Sequence, residues 1–283
     1  MAQGLSREQI ADRLDEAGEL LEAQGANRFR VRAYRVAADT VRQLAEDPAE
    51  ILAREGFDGL VKLPGIGERL ARAIDEMSYT GRWVQLERMR GEAEPEELFQ
   101  AIPGVGPDTA RRIHDALHVD TLEALEIAAH DGSLEDVHGI GPRKAAAIRA
   151  SLSAMLARRS RRGEEEHEEP PVAALLEVDR SYRQQAGAGS LRTIAPRRFN
   201  PDGEAWLPIL HEERDGWDFT ALYSNTALAH DLGRTRDWVV IYFARPGGRE
   251  HVRTVVTETH GPLEGSRVVR GREADCRAHY FDG

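Results

Sequence analysis

The sequence predicts a multidomain chain of two classes: an all-α N-terminal region, a charged linker, and a small, mostly antiparallel α+β C-terminal domain. Three observations predict it. Leu63-Pro64-Gly65-Ile66-Gly67 recurs as Ile102-Pro103-Gly104-Val105-Gly106 and more loosely as Val137-His138-Gly139-Ile140-Gly141, each copy followed by a helix-like run. A basic run, Arg158-Arg159-Ser160-Arg161-Arg162, then an acidic one ending in Pro170-Pro171, interrupts the chain. Beyond it, short stretches rich in β-branched and aromatic residues alternate with turn signals. At 283 residues the chain is long enough for two or more cores.

The elements follow in order. Ser6-Arg7-Glu8-Gln9 offers an N-cap with a Glu/Gln partner in the first turn, and Ile10, Leu14, Ala17, Leu20 and Leu21 then recur at helical spacing. Gly25 ends that helix. A second begins near Arg28 with Phe29, Val31, Ala33, Tyr34, Ala37 and Ala38 as its apolar positions. Arg28, Arg30, Arg32 and Arg35 form its polar face, which either follows a phosphate backbone or is a solvated face paired with Glu19 and Glu22. Asp47-Pro48 starts a third helix through Ile51 and Leu52. Further helices are predicted at 68–77, 83–90, 108–117, 122–129 (capped by Thr121) and from 142 through 155. The polar segment 158–171 reads as a solvated linker.

The composition then changes. A helix is predicted at 172–184, and strands at 206–211, 217–223, 238–243, 251–258 and 267–270. Asp215-Gly216 is a hairpin signal between the first two strands, and Pro246-Gly247-Gly248 is another. A helix at 225–232 is the one expected inside this sheet. The domains expected are therefore 1–90, 91–157, the linker 158–171, and 172–283.

The net charge is −11, from 38 basic and 49 acidic residues, which argues against a non-specific DNA coat. Residues 1–163 contribute −5 and residues 164–283 contribute −6, so any nucleic-acid contact must come from local clusters and oriented amides. Lys62 and Lys144 are the only lysines. Cys276 is the only cysteine, so no internal disulfide is possible. Residues 1–15 lack an apolar signal core, and no run of about 18 apolar residues appears. A cytoplasmic, nucleoid-associated location without a membrane partner is the expectation.

A Gly-apolar-Gly turn between two helices lets the backbone take positive φ and leaves no side chain in the way. The turn and the next helix N-terminus then present amides together, which is an anion site suited to phosphate. Three such turns point to a nucleic-acid backbone, at Gly65, Ile66, Gly67, at Gly104, Val105, Gly106 and at Gly139, Ile140, Gly141. Arg69, Arg72, Arg111, Arg112, Arg143 and Lys144 follow the turns and either add charge to that contact or pair with acidic neighbours on the helix surface.

Residues 5–157 resemble the N-terminal helix-hairpin-helix region of bacterial family X DNA polymerases. The resemblance rests on Asn27-Arg28-Phe29, Arg32-Ala33-Tyr34-Arg35-Val36-Ala37-Ala38, the first two glycine turns and their spacing, Ile74-Asp75-Glu76, Thr80-Gly81 and Thr121-Leu122-Glu123-Ala124-Leu125. It implies that the first helical domain grips the downstream strand at a gap or nick and the next grips the upstream duplex. It also implies a monovalent cation, Na+ or K+, held by backbone carbonyls near Val61, Leu63 and Ile66, and near Gln100, Ile102 and Val105. No other cofactor is expected.

Two departures bear on activity. The lyase-active members place a Schiff-base lysine on the helix after the first turn, where this chain has Ala73. No Asp-x-Asp pair of a polymerase palm appears in 172–283, and two-metal nucleotidyl transfer needs clustered carboxylates. The histidine and aspartate clusters of the appended phosphoesterase domain are missing too. The expectation is a non-catalytic DNA-binding protein that senses nicks, gaps or ends with little base preference, with a repair protein as a partner of the C-terminal domain. The alternative is a DNA-repair nuclease or hydrolase with Arg198, Asn225, His230 and Asp237 as its active site. Ser224 or Asn225 capping the helix that carries His230, beside several arginines, would make a phosphate pocket; capping and surface ion pairs are the other reading of the same residues. A protein–protein scaffold is a third reading. His211, His251, His260 and His279 show no zinc-ligand spacing.

Overall fold

The computed structural model describes residues 4–92, 96, 99–100, 102–117, 119, 122–130, 132–157, 168–248 and 250–281. The basic run 158–162, most of the acidic run and the Thr121 cap lie outside them.

The first helical unit comprises α1 (Arg7–Ala23), α2 (Arg28–Arg42), α3 (Pro48–Glu55), α4 (Phe57–Val61), α5 (Glu68–Thr80) and α6 (Val84–Arg90). The Ser6 capping box forms as expected, with Gln9 as the reciprocal partner. Asn27 accepts from the Phe29 amide to start α2. Gly81 and Gly91 close α5 and α6 in left-handed conformation, at φ 71° and 80°. Ile10, Leu14, Leu21, Tyr34, Leu60, Ile74, Met77 and Leu86 form the fully buried core of this unit.

The second unit comprises α7 (Pro107–Leu117), α8 (Leu122–His130), a 3-10 turn at Ser133–Asp136 and α9 (Pro142–Ala157). Its separate core holds Phe99, Ile102, Ile113, Leu125, Leu134 and Ile148.

The C-terminal unit opens with α10 (Val172–Gly187) and continues as β1 (Arg192–Ile194), β2 (Leu207–Arg214), β3 (Trp217–Tyr223), α11 (Ala227–Asp231), β4 (Val239–Ala244), β5 (His251–Thr257), β6 (Arg267–Val269) and α12 (Glu273–Phe281). The six strands form one fully antiparallel meander in sequence order. Three parts of this differ from expectation. The edge strand β1 lies before the first of the five strands expected. The helix within the sheet is shorter, beginning at Ala227, because Ser224, Asn225 and Thr226 leave β3 as a loop. A last helix, α12, was not anticipated; it buries Cys276, whose sulfur accepts from the Val269 amide.

Side-chain alternation gives the sheet two buried faces. Phe219, Tyr223, Ile241 and Phe243 meet α10, where Tyr182 Oη donates to the Pro208 carbonyl at 2.9 Å and accepts from the Tyr223 amide at 2.8 Å. The opposite face carries His211, Asp218, Thr220, Tyr242 and Val252. Those residues meet the two helical units: Arg30 reaches Thr220, Arg88 stacks on Tyr242, and Val252 packs against the second core. β4 is therefore buried at every position. The sheet is a middle layer between α10 and the helical region.

Candidate nucleic-acid interface

The three glycine turns have one geometry. Gly65, Gly104 and Gly139 take φ of 74°, 84° and 80°, a region open to glycine and strained for other residues. The middle residue is buried: Ile66, Val105 and Ile140 are 3%, 4% and 2% exposed. Its amide donates three residues back, Ile66 to Leu63 at 3.1 Å, Val105 to Ile102 at 3.0 Å and Ile140 to Val137 at 2.9 Å. The carbonyl of the second glycine then starts the next helix, accepting from Ala71, Ala110 and Ala145. An apolar anchor thus holds each turn to its core while the glycine backbone stays at the surface.

The turns differ in what faces them. The second and third helices start with Pro107 and Pro142, which preset φ and carry no N–H. The first starts with Glu68, a carboxylate beside the amides a phosphate would need. In the first helix the Arg69 amide is already used: it donates to the Gly247 carbonyl in the β4–β5 turn at 2.9 Å. A Cβ added at Gly67 would lie 3.6 Å from the Gly247 Cα, whereas one at Gly104, Gly106 or Gly141 would meet nothing within 4 Å. The first turn faces the C-terminal unit, the second is open, and the third is open at Gly141 while the Arg112 guanidinium lies against Gly139.

The cations sort in the same way. Arg112 donates to the His138 carbonyl at 2.8 Å, and Lys144 Nζ donates to Thr109 Oγ1 at 3.0 Å. Both tie the second turn to the third. Arg111 and Arg143 are exposed; Arg111 pairs with Asp108 at 3.6 Å within its own helix. In the first unit, Arg32 is exposed, Arg28 lies over the Phe29 ring, and Arg35 pairs with Glu22 at 2.5 Å, as the solvated-face reading expects. Arg72 lies 4.0 Å from Glu68 on its own helix.

Arg69, expected beside DNA, instead enters a network between units. It bonds Asp218 at 3.2 Å and Glu250 at 3.4 Å, and Arg88 bonds Glu250 at 2.5 Å. Arg30 donates to Thr220 Oγ1 at 3.4 Å. His211 joins them, with Nδ1 at 3.0 Å from Thr220 Oγ1 and Nε2 at 2.8 Å from Gln24 Oε1. Burial and the arginines Arg30, Arg88 and Arg69 hold the His211 imidazole well below its ordinary 6.5. Glu250 is pulled below the ordinary carboxylate range: burial pushes it up, and Arg88, Arg69 and Arg30 outweigh that. Nothing local in the sequence marks Glu250, Asp218 or His211 as interface residues, because their partners lie 149 to 187 positions away.

Of the four candidate catalytic residues, three meet. Asn225 Oδ1 lies 2.7 Å from His230 Nε2, and Asn225 Nδ2 donates to the Arg198 carbonyl at 3.0 Å. Phe199 stacks on His230 at 4.4 Å between ring centres and takes φ 52°, unusual for a bulky residue. Asp237 does not join them. It bonds Arg267 at 2.7 Å and Thr257 Oγ1 at 2.5 Å, which is structural cross-bracing of the sheet edge. The Asn225 side chain is spent on His230 and Arg198 rather than on capping α11; Thr226 Oγ1 caps it by accepting from the Ala229 amide.

Among the described residues, Glu96, His114 and Asp115 form the one set whose ligand atoms lie within 4.8 Å of one another. Arg198 Nη1 sits on Glu96 Oε1, so a fixed cation already holds the place of a metal. Burial works to raise the Glu96 carboxyl, but hydrogen bonding and charge from His114 and the charge of Arg198 bring it down to about 2.

Two family comparisons agree with the turn geometry. Residues 6–83 match the helix-hairpin-helix domain family, and residues 96–154 match the SAM-like helix-hairpin-helix tandem. Helix-hairpin-helix domains bind DNA with little sequence preference, since backbone contacts position a protein without reading bases. No described helix is long and apolar enough to cross a membrane. Residues 6–83 and 96–154 are thus helix-hairpin-helix regions, of a kind that in general binds DNA.

Proposed function

We propose that this protein binds interrupted DNA, at nicks, gaps or ends, through the second and third hairpins, and that it serves DNA repair without polymerase or lyase chemistry. The observation that carries this is the pairing of two turns of the same backbone geometry, fixed to each other through Arg112 and Lys144 and turned away from the C-terminal unit. One duplex can lay a phosphate at Gly104-Val105-Gly106 and another at Gly139-Ile140-Gly141, with Arg111 and Arg143 adding charge at either side. The first hairpin, with Gly65-Ile66-Gly67 and Arg69 turned to the sheet, engages DNA only when the β4–β5 turn moves off it. The Leu63 and Ile102 carbonyls each accept one amide bond and keep a second lone pair. With Val61, Ile66, Gln100 and Val105 they would hold Na+ or K+, which supplies a positive charge between carbonyl dipoles and a phosphate oxygen.

Fluorescence anisotropy with intact, nicked, gapped and blunt-ended duplexes across a salt series tests this reading. Preference for interrupted DNA, with the strands intact on a denaturing gel in magnesium or manganese, supports it. Equal affinity for all four duplexes contradicts it. The contact of Asn225 with His230 and with the Arg198 backbone carbonyl favours a second reading, a hydrolase. Metal-dependent strand cleavage lost in His230→Ala, with binding kept, would establish that reading instead.

A further inference from the structure

A cavity of about 80 Å3 lies where all three units meet. Arg88 of α6 lines it from the first unit, His114 from the second, and Ser224 and Thr226 from the loop after β3. Leu207, Leu222 and Val240 supply its apolar wall. Arg88 is 4% exposed, with its guanidinium flat over Tyr242 at 3.6 Å and one nitrogen on Glu250. Its Nε and Nη1 make no hydrogen bond among the described residues. A buried guanidinium with unmade bonds is expensive, so it points to a missing acceptor.

The neighbouring hydroxyls ask for the same thing. Thr226 Oγ1 accepts from the Ala229 amide and lies 3.2 Å from Ser224 Oγ. Either hydroxyl can be the donor of that pair; in the arrangement where Thr226 gives its proton to Ser224, the Ser224 proton is free for a ligand. Nε–H, the two Nη1 protons and the Ser224 hydroxyl are all donors, which suits a ligand that only accepts. Arg88 and Arg198 both line the cavity; Arg198 is held by Glu96, and the unmade bonds of Arg88 are what an anion would meet there. The cavity is smaller than the ~150 Å3 void that takes benzene, and Ile194, Leu207, Leu222 and Val240 give it an aliphatic side.

We propose that this cavity is a binding site for a small carboxylate: a monoanion with a short apolar body, its oxygens on Arg88 and Ser224. Because each unit contributes a wall, the bound carboxylate holds the sheet and the helical region together.

Calorimetric titration and thermal unfolding of the full chain test this with propionate, its neutral isostere propionamide, and inorganic phosphate at fixed ionic strength. Propionate at a hundred times its Kd is expected to raise Tm by ~5 °C, with no shift from propionamide. Arg88→Gln is expected to weaken propionate at least tenfold. Leu222→Phe enlarges a residue of the apolar wall to fill the cavity and is expected to abolish binding with the circular dichroism unchanged. Equal response to propionate and propionamide, binding of phosphate alone, no response to any probe, or wild-type affinity in both variants overturns the assignment.

Discussion

Glu250 is the carboxylate on which the contact between sheet and helices turns. It is 17% exposed and takes Arg88 at 2.5 Å and Arg69 at 3.4 Å. Glu250→Gln keeps its shape and removes its charge, leaving three guanidiniums against Asp218 alone. Removing one partner of a buried ion pair costs about 3–5 kcal/mol. That loss falls on the docking of the first helical unit, because both arginines belong to it. Docking is also what covers the first hairpin, through the bond from the Arg69 amide to the Gly247 carbonyl. The variant should therefore lower the urea midpoint and free Arg69 and Arg30 for phosphate. Each phosphate contact steepens the dependence of log K on log salt by about 0.9. Two new contacts steepen it by nearly 2, an extra loss of about tenfold in affinity between 50 and 200 mM salt. Urea denaturation and anisotropy on one gapped duplex read both quantities. An unchanged midpoint would show that Glu250 does not hold the units together. A lowered midpoint with an unchanged salt slope would show that the first hairpin does not take up DNA when released.

The other predictions are local. Arg111→Ala and Arg143→Ala should each weaken DNA binding equally for all sequences and lower the salt slope by about 1, with the unfolding midpoint unchanged; a change in base preference would contradict the phosphate role. Tyr182→Phe strands the Pro208 carbonyl and the Tyr223 amide and should cost about 1–3 kcal/mol in urea denaturation, without altering DNA affinity. His211 is held neutral in the folded chain, so below pH 6.5 the unfolded chain binds more protons and stability falls with pH. The urea midpoint should decline from pH 6.5 downward, and His211→Gln should remove that part of the decline.

What was legible in the sequence is what local chemistry dictates. Gly65, Gly104 and Gly139 needed positive φ, and the two family matches cover the same turns. The strands around Trp217–Tyr223 and Val239–Ala244 were readable from β-branched and aromatic runs, and the two turn signals fall between strands that pair. What was not legible depends on partners distant in the chain. Arg69 looks like any other cation after a glycine turn until Asp218, Gly247 and Glu250 are placed beside it. Asp237 reads as a companion of His230 by proximity in sequence, but Arg267 takes it from the sheet edge. His211 reads as an ordinary strand histidine, although it bridges Thr220 to Gln24 of the first unit. α12 is short and weakly patterned, and it is defined by the pocket that receives Cys276.

The central claim is that DNA lies on the second and third turns, with the first turned away. Hydrogen exchange of the full chain with and without a gapped duplex measures this directly. The claim predicts slowed exchange at the amides of 104–108 and 139–144, with little change at 65–69 in low-affinity conditions. Slowed exchange at 65–69 with none at 104–108 or 139–144 would contradict it.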